Sequence, residues 1–130
     1  MKTILITGSA GLLGSSCVKL FTEKGWGVVG LDNNARSANL GTPRKLLDRA
    51  GDISDEHDIE LIFENNKFDA IIHCAGQASH DFSNDHVLLD FDTNARGTLL
   101  LLEATRKYCP NAVFVHVSTD KVYGENMGNP

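Results

Sequence analysis

The chain has 130 residues, 42% hydrophobic and 22% charged, which suits one domain with a real core. A formal net charge of −5, with no Lys/Arg cluster to offset it, argues against nucleic-acid binding. No run approaches the length of a membrane span, and the apolar stretch after Met1-Lys2-Thr3 is too short for a signal-peptide core.

The three cysteines, Cys17, Cys74 and Cys109, are odd in number and lack metal-ligand spacing. Each falls in an expected buried helix, strand or helix end, which fits reduced structural thiols in a cytoplasmic protein. The five histidines, His57, His73, His80, His86 and His116, show no paired ligand spacing, so no metal site is expected.

The chain opens on Thr3-Ile4-Leu5-Ile6-Thr7, a short apolar run that ends in Gly8, Gly11 and Gly14 spaced G-x-x-G-x-x-G. Glycines allow a buried strand to turn sharply into a helix with its backbone open to a ligand. The first helical N–H groups then point outward, and the helix dipole adds partial positive charge, which suits a diphosphate. A helix over Leu12 to Lys24 follows, with Leu13, Cys17, Leu20 and Phe21 on one face and Gly25 at its end. The next strand, Val28 to Leu31, ends in Asp32, about 20 positions past the glycines. A carboxylate there accepts hydrogen bonds from both hydroxyls of an adenosine ribose and repels a 2′-phosphate, which favours NAD over NADP. The alternative is an ordinary strand–turn–helix with a surface Asp.

Asn33 to Thr42 reads as a loop at the adenine end of this site. Its Arg36 would lie over adenine or approach a phosphate, or stand solvated. A short strand is expected in Lys45 to Ala50, before Gly51-Asp52-Ile53. Asp52 is placed either to meet the adenine amino group or to cap the next helix. That helix spans Asp55 to Asn66, capped by Ser54 or Asp55, with Ile59, Ile62 and Phe63 inward.

Ala70 to Gly76 is a near-continuous apolar run, the pattern of a strand buried on both faces. Ala75, Gly76 and Gln77 follow, small enough at 75 and 76 for a nicotinamide ribose to approach the backbone. Gln77 to Asn84 reads as an irregular segment. A long helix from Val87 to Lys107 is expected, with Ala95, Leu99 and Leu102 inward and Pro110 after it. Asn94 lies inside that helix, where asparagine is mildly disfavoured, which suggests a compensating role. The last strand is Ala112 to Ser118, and the hydroxyls of Ser118 and Thr119 either hold a substrate oxygen or cap the next segment. Asp120-Lys121 reads as a solvated pair.

The alternation predicts an α/β fold, a doubly wound parallel sheet with helices on both faces. Ligands bind such sheets beyond the carboxyl ends of the strands, where the chemistry-bearing residues fall.

With these blocks in order, the chain resembles the N-terminal part of the extended short-chain dehydrogenase/reductase family, and within it the nucleotide-sugar epimerases and dehydratases. The likeness rests on Thr7–Gly14, Val29–Asn33, Gly51–Asp55, Ile72–Gln77, Asn94–Leu99 and Ser118–Gly124. The pattern Gly-Gln-Ala-Ser-His-Asp at 76–81, with Leu102 to Pro110, is similar to CDP-paratose/CDP-tyvelose 2-epimerases.

The resemblance implies a Rossmann-type NAD-binding domain over 1–130 and cofactor contacts from Gly8, Gly11, Leu12, Leu13, Gly14, Asp32, Asn33, Arg36, Asp52, Ile53, Ala75, Gly76, Gln77, Asn94 and Ser118. It also implies that Thr119 is a catalytic hydroxyl orienting the sugar oxygen of a nucleotide-sugar substrate. The sugar is oxidised transiently and hydride returns.

Two departures stand out. Lys121 replaces the acid that 4,6-dehydratases use for water loss. The expected Tyr-x-x-x-Lys pair does not occur, since Tyr108 is followed by Ala112 and Tyr123 by Met127. The chain is therefore expected to be the NAD-binding part of a longer enzyme, inactive alone and prone to self-association as a homo-oligomer. A regulatory dinucleotide-binding module is the second reading.

Overall fold

The computed structural model describes residues 1–35, 48–77 and 79–119. Five parallel strands form one sheet: β1 (Thr3–Thr7), β2 (Gly27–Asp32), β3 (Asp48–Ala50), β4 (Ala70–His73) and β5 (Val113–His116), in the order β3-β2-β1-β4-β5. The chain winds outward from β1 in one direction through β2 and β3, then returns to the other side through β4 and β5. The reversal lies between β1 and β4, where Thr7 pairs with His73 at the carboxyl ends. An open sheet offers a ligand its crevice at that point.

Among the described residues, five helical segments connect or follow the strands: α1 (Leu12–Glu23), α2 (Glu56–Asn65), α3 (His80–Asp85), α4 (Val87–Phe91) and α5 (Gly97–Tyr108), with a π-helical segment, Asp92–Arg96, joining the last two. Alternation along β1 explains the two layers. Leu5 points to one face, where Ile59, Ile62 and Phe63 of α2 and Leu101 and Ala104 of α5 bury it. Ile4 and Ile6 point to the other, against Cys17, Val18 and Phe21 of α1. Phe63 is fully buried and meets Phe68 edge-on, ring centroids 5.3 Å apart. Truncating such a ring costs about 3–5 kcal/mol.

Local chemistry sets several boundaries. The Asp55 carboxylate accepts the N–H of His57 at 2.8 Å and that of Asp58 at 3.3 Å, so Asp55 caps α2. Glu56 and Asp58 add negative charge to that first turn, where the helix dipole favours it.

Some expectations are corrected. On α1, Leu13 and Leu20 are exposed and the buried position is Gly14. Residues 77–84 are not wholly irregular, since α3 begins at His80 under the Ser79 cap. The long helix is broken by the π segment, and its inward residues are Gly97, Leu101, Ala104 and Thr105. Ala95, Leu99 and Leu102 face outward. β4 ends at His73 rather than Gly76, and β5 at His116 rather than Ser118. Residues 45–47 of the expected third strand lie outside the described residues, and only Asp48–Ala50 is strand. Among the described residues, no helix is long and apolar enough to cross a membrane, and no group of three or more His, Cys, Asp or Glu could hold a metal ion.

Candidate functional site

A groove of about 450 Å³ opens across the carboxyl ends of β1, β2 and β4. Its floor is the glycine turn. Gly8 sits at φ 65°, a left-handed conformation that turns the chain back, and its N–H donates to the Leu31 carbonyl at 2.8 Å. A Cβ on Gly14 would stand 2.0 Å from the Gly8 carbonyl oxygen, so α1 packs directly onto the turn. Gly11 is the α1 N-cap, no side chain caps the helix, and its first turn holds no acidic residue. The opening N–H groups of any helix lack intrahelical partners. Leu12 and Leu13, whose N–H groups these are, line the groove with side chains 81% and 55% exposed, turned away from the core. No Lys or Arg lines the groove among the described residues. A diphosphate would therefore meet backbone N–H groups and the helix dipole.

At one end stands Asp32. Its Oδ2 accepts the Ala10 N–H at 3.0 Å and its Oδ1 the Asn34 N–H at 2.8 Å, which fixes both oxygens and leaves each with further acceptor capacity. Beside it, the Asn33 side-chain amide donates to Asp52 Oδ2 at 3.0 Å. Asp52 Oδ1 accepts the Ser54 N–H at 2.8 Å and the Ser54 hydroxyl at 2.7 Å. Burial pushes the Asp52 carboxyl up, but the bonds from Ser54 and Asn33 outweigh it and hold its pKa below the ordinary value. Asp52 thus braces Asn33 rather than capping α2.

The opposite wall is Cys74, Ala75, Gly76 and Gln77. The Ala75 N–H donates to the Thr7 hydroxyl at 3.2 Å. A Cβ on Gly76 would meet the Asn94 amide oxygen at 3.2 Å, so the small residue leaves room for that contact. Burial, helped by the Cys17 thiol that hydrogen-bonds it, pushes the Cys74 thiol up to about 11 and keeps it protonated. Phe82, Leu89 and Thr93 complete this end of the groove.

Of the residues singled out by sequence, Gly8, Gly11, Leu12, Leu13, Gly14, Asp32, Asn33, Ile53, Ala75, Gly76 and Gln77 line this one groove. Asp52 and Asn94 do not line it. Asp52 stands behind Asn33, and Asn94 behind Gln77. Ser118 and Thr119 are exposed beyond the end of β5 and are not part of the lining. Arg36, Asp120 and Lys121 lie outside the described residues. Sequence reasoning missed Ala10, Leu31, Ala35, Gly51, Cys74, Phe82, Leu89 and Thr93 as lining residues. The four-residue spacing of Leu89 and Thr93 places them on one helical face, a signal that was available. Phe82 carried none, because its segment had no visible period.

The profile of the NAD dependent epimerase/dehydratase family matches residues 4–130. UDP-glucose 4-epimerase 2 of Arabidopsis thaliana is 38% identical over 134 residues, covering 95% of this chain and 38% of that protein. CDP-paratose 2-epimerase of Salmonella typhi is 34% identical over 128 residues, covering 94% of this chain and 38% of that protein. The structure of UDP-glucose 4-epimerase from Bifidobacterium longum, in complex with NAD+ and UDP, superposes with a TM-score of 0.84 at 28% identity, covering 99% of this chain and 40% of that one. The chain thus spans 38% of the length of each of these two curated relatives.

Proposed function

The chain belongs to the NAD dependent epimerase/dehydratase family, and from that premise we propose that it forms the NAD-binding portion of a nucleotide-sugar epimerase. The observation that carries this reading is the bond from the Ala10 N–H to Asp32, which puts the glycine turn and the acid at the end of β2 into one groove. The diphosphate would lie over the N–H groups of the first turn of α1, from Leu12 to Gly14, and the Asp32 carboxylate would accept both hydroxyls of the adenosine ribose. Asn33, braced by Asp52, and Ile53 would flank the adenine, and Arg36 is proposed as a further cofactor contact, a role taken from the resemblance. Ala75 to Gln77 would back the nicotinamide ribose, with Asn94 holding Gln77 in place and Ser118 nearby. When bound, NAD supplies a hydride acceptor that later returns the hydride to the sugar.

Thr119 is proposed as the catalytic hydroxyl that orients the sugar oxygen, a role taken from the resemblance of Ser118 to Gly124. Since no Tyr-x-x-x-Lys pair occurs in these residues, residues 1–130 are proposed to bind NAD without turning over a sugar. Self-association into a homo-oligomer is also proposed. It is supported by β5 lying at the sheet edge with Val113 and Val115 exposed, a row of strand groups open to pairing.

A CDP-sugar is proposed as the substrate class, epimerised at carbon 2. The support is the pattern at Gly76–Asp81 and the 34% identity to the Salmonella 2-epimerase. UDP-glucose is the second reading, favoured by the 38% identity to the Arabidopsis epimerase. The nucleotide-sugar is expected to need the C-terminal part of the longer enzyme as well, so saturation-transfer NMR on the NAD-loaded full-length enzyme, with CDP-glucose and UDP-glucose in competition, separates them. Preferential contact with the CDP-sugar is expected. Preference for UDP-glucose would replace the first reading by the second, and no NAD loading at all would overturn both.

A further inference from the structure

Behind the groove wall runs a chain of hydrogen bonds, buried at Thr7 and His73, whose donors can be assigned. The Thr98 hydroxyl donates to the Asn94 carbonyl one helical turn back, at 2.7 Å. Its single proton is spent there, so toward His73 Nε2, 2.9 Å away, Thr98 accepts. Nε2 therefore carries the imidazole proton and Nδ1 is bare. Nδ1 accepts from the Thr7 hydroxyl at 2.7 Å, and the Thr7 oxygen in turn accepts the Ala75 N–H. Thr7 and His73 are 0% and 1% exposed, so water cannot stand in for the bond between them.

This chain joins the two anchors of the groove wall. Thr7 holds the peptide of Ala75, and the Asn94 amide holds the N–H and carbonyl of Gln77. His73 and Thr98 connect Thr7 to the backbone of Asn94. We propose that His73 is a positioning residue of this site, held as its Nε2–H tautomer so that the 75–77 peptides keep the place and orientation an NAD ribose requires. The inference rests on the NAD reading above.

The groups packed against the ring agree with a neutral imidazole. Thr7 faces it from β1 and Thr98 from α5 with hydroxyls, and β5 supplies Phe114 and the imidazole of His116, whose centroid lies 5.2 Å away. Burial, with His116 adding to it, pushes the His73 pKa down to about 4. A proton on Nδ1 would take the acceptor from Thr7 and strand a buried hydroxyl hydrogen.

The test joins a spectrum to a titration. Long-range proton–nitrogen NMR of the chain labelled with 15N-histidine at pH 7 should show His73 as the Nε2–H tautomer. Thr98→Val, which removes both the bond to His73 Nε2 and the bond to the Asn94 carbonyl, should weaken NAD binding about tenfold, and Thr98→Ser should restore it. An Nδ1–H or charged His73 at pH 7 overturns the proposal, as does a Thr98→Val protein that binds NAD like the parent. If that variant does not fold, the parent's spectrum decides. A parent that binds no NAD but shows the Nε2–H tautomer would sink the proposed function and leave the hydrogen-bond assignment standing.

Discussion

The side-chain amide of Asn94 pairs with both polar groups of one residue, accepting the Gln77 N–H at 2.8 Å and donating to the Gln77 carbonyl at 3.2 Å. Asn94 sits in the π-helical segment Asp92–Arg96, the kind of local irregularity that often marks a functional site in a helix. Asp90 Oδ1 accepts from the same Asn94 nitrogen at 3.1 Å and from the Ser83 hydroxyl at 2.6 Å, which ties α3 and α4 to the clamp.

Replacing Asn94 with leucine removes both bonds to Gln77. Nucleotide affinity, measured by fluorescence titration, is expected to fall about tenfold. Asn94→Asp keeps the acceptor but sets a carboxylate oxygen against Asp90 Oδ1 and the Gln77 carbonyl, so it should bind no better than leucine. Equal affinities across the three proteins would mean that the clamp does not set the groove.

Two glycines of the turn should separate folding from binding. Gly14→Ala drives a Cβ to 2.0 Å from the Gly8 carbonyl oxygen, a backbone atom that cannot yield cheaply. It is expected to cost about 3 kcal/mol or more, or to prevent folding. Gly11→Ala meets the same oxygen at only 3.2 Å, on the open side of the groove. That variant should keep its thermal midpoint within a few degrees yet bind the nucleotide more weakly, since the methyl occupies the place of the diphosphate. A Gly14→Ala protein as stable as the parent would contradict this packing.

The pH dependence stems from His73. Its folded pKa, about 4, lies below the unfolded value of 6.5, so the unfolded chain takes the proton first. The contribution to stability is complete above pH 6.5 and is lost as pH falls from there toward 4. A pKa unit is worth about 1.4 kcal/mol, so the loss over this window is at most about 3 kcal/mol. Urea titrations between pH 7.5 and 4.5 should show this slope in the parent and a flatter one in His73→Asn. Matching slopes would place the acid sensitivity elsewhere.

Much of the fold and the groove was legible in the sequence for physical reasons. Thr3 to Thr7, the glycine spacing and Asp32 each constrain the backbone strongly, and the structure puts them in one groove. Ser54 or Asp55 reads as a cap because a side-chain oxygen just before a helical period can accept the first free N–H groups, and the structure gives that role to Asp55. The phase of α5 was misread because Leu99 to Leu102 are four leucines in succession. At 100° per residue they cover most of the helix circumference, so periodicity cannot say which faces inward. Ala95, Leu99 and Leu102 share one face at this spacing, and the structure turns that whole face outward. Leu13 looked like a core residue because its period matches α1, but the uncapped start of that helix belongs to the groove.

The central claim, that the glycine turn and Asp32 together hold NAD, is tested most directly by calorimetric titration of the parent and of Asp32→Ala with NAD and with NADP. The parent is expected to bind NAD in preference to NADP. Loss of the ribose contacts in Asp32→Ala should cost about 1–3 kcal/mol, tenfold or more in NAD affinity, and narrow the gap to NADP. Parent and variant binding NAD equally well, or a folded parent binding neither nucleotide, would contradict it.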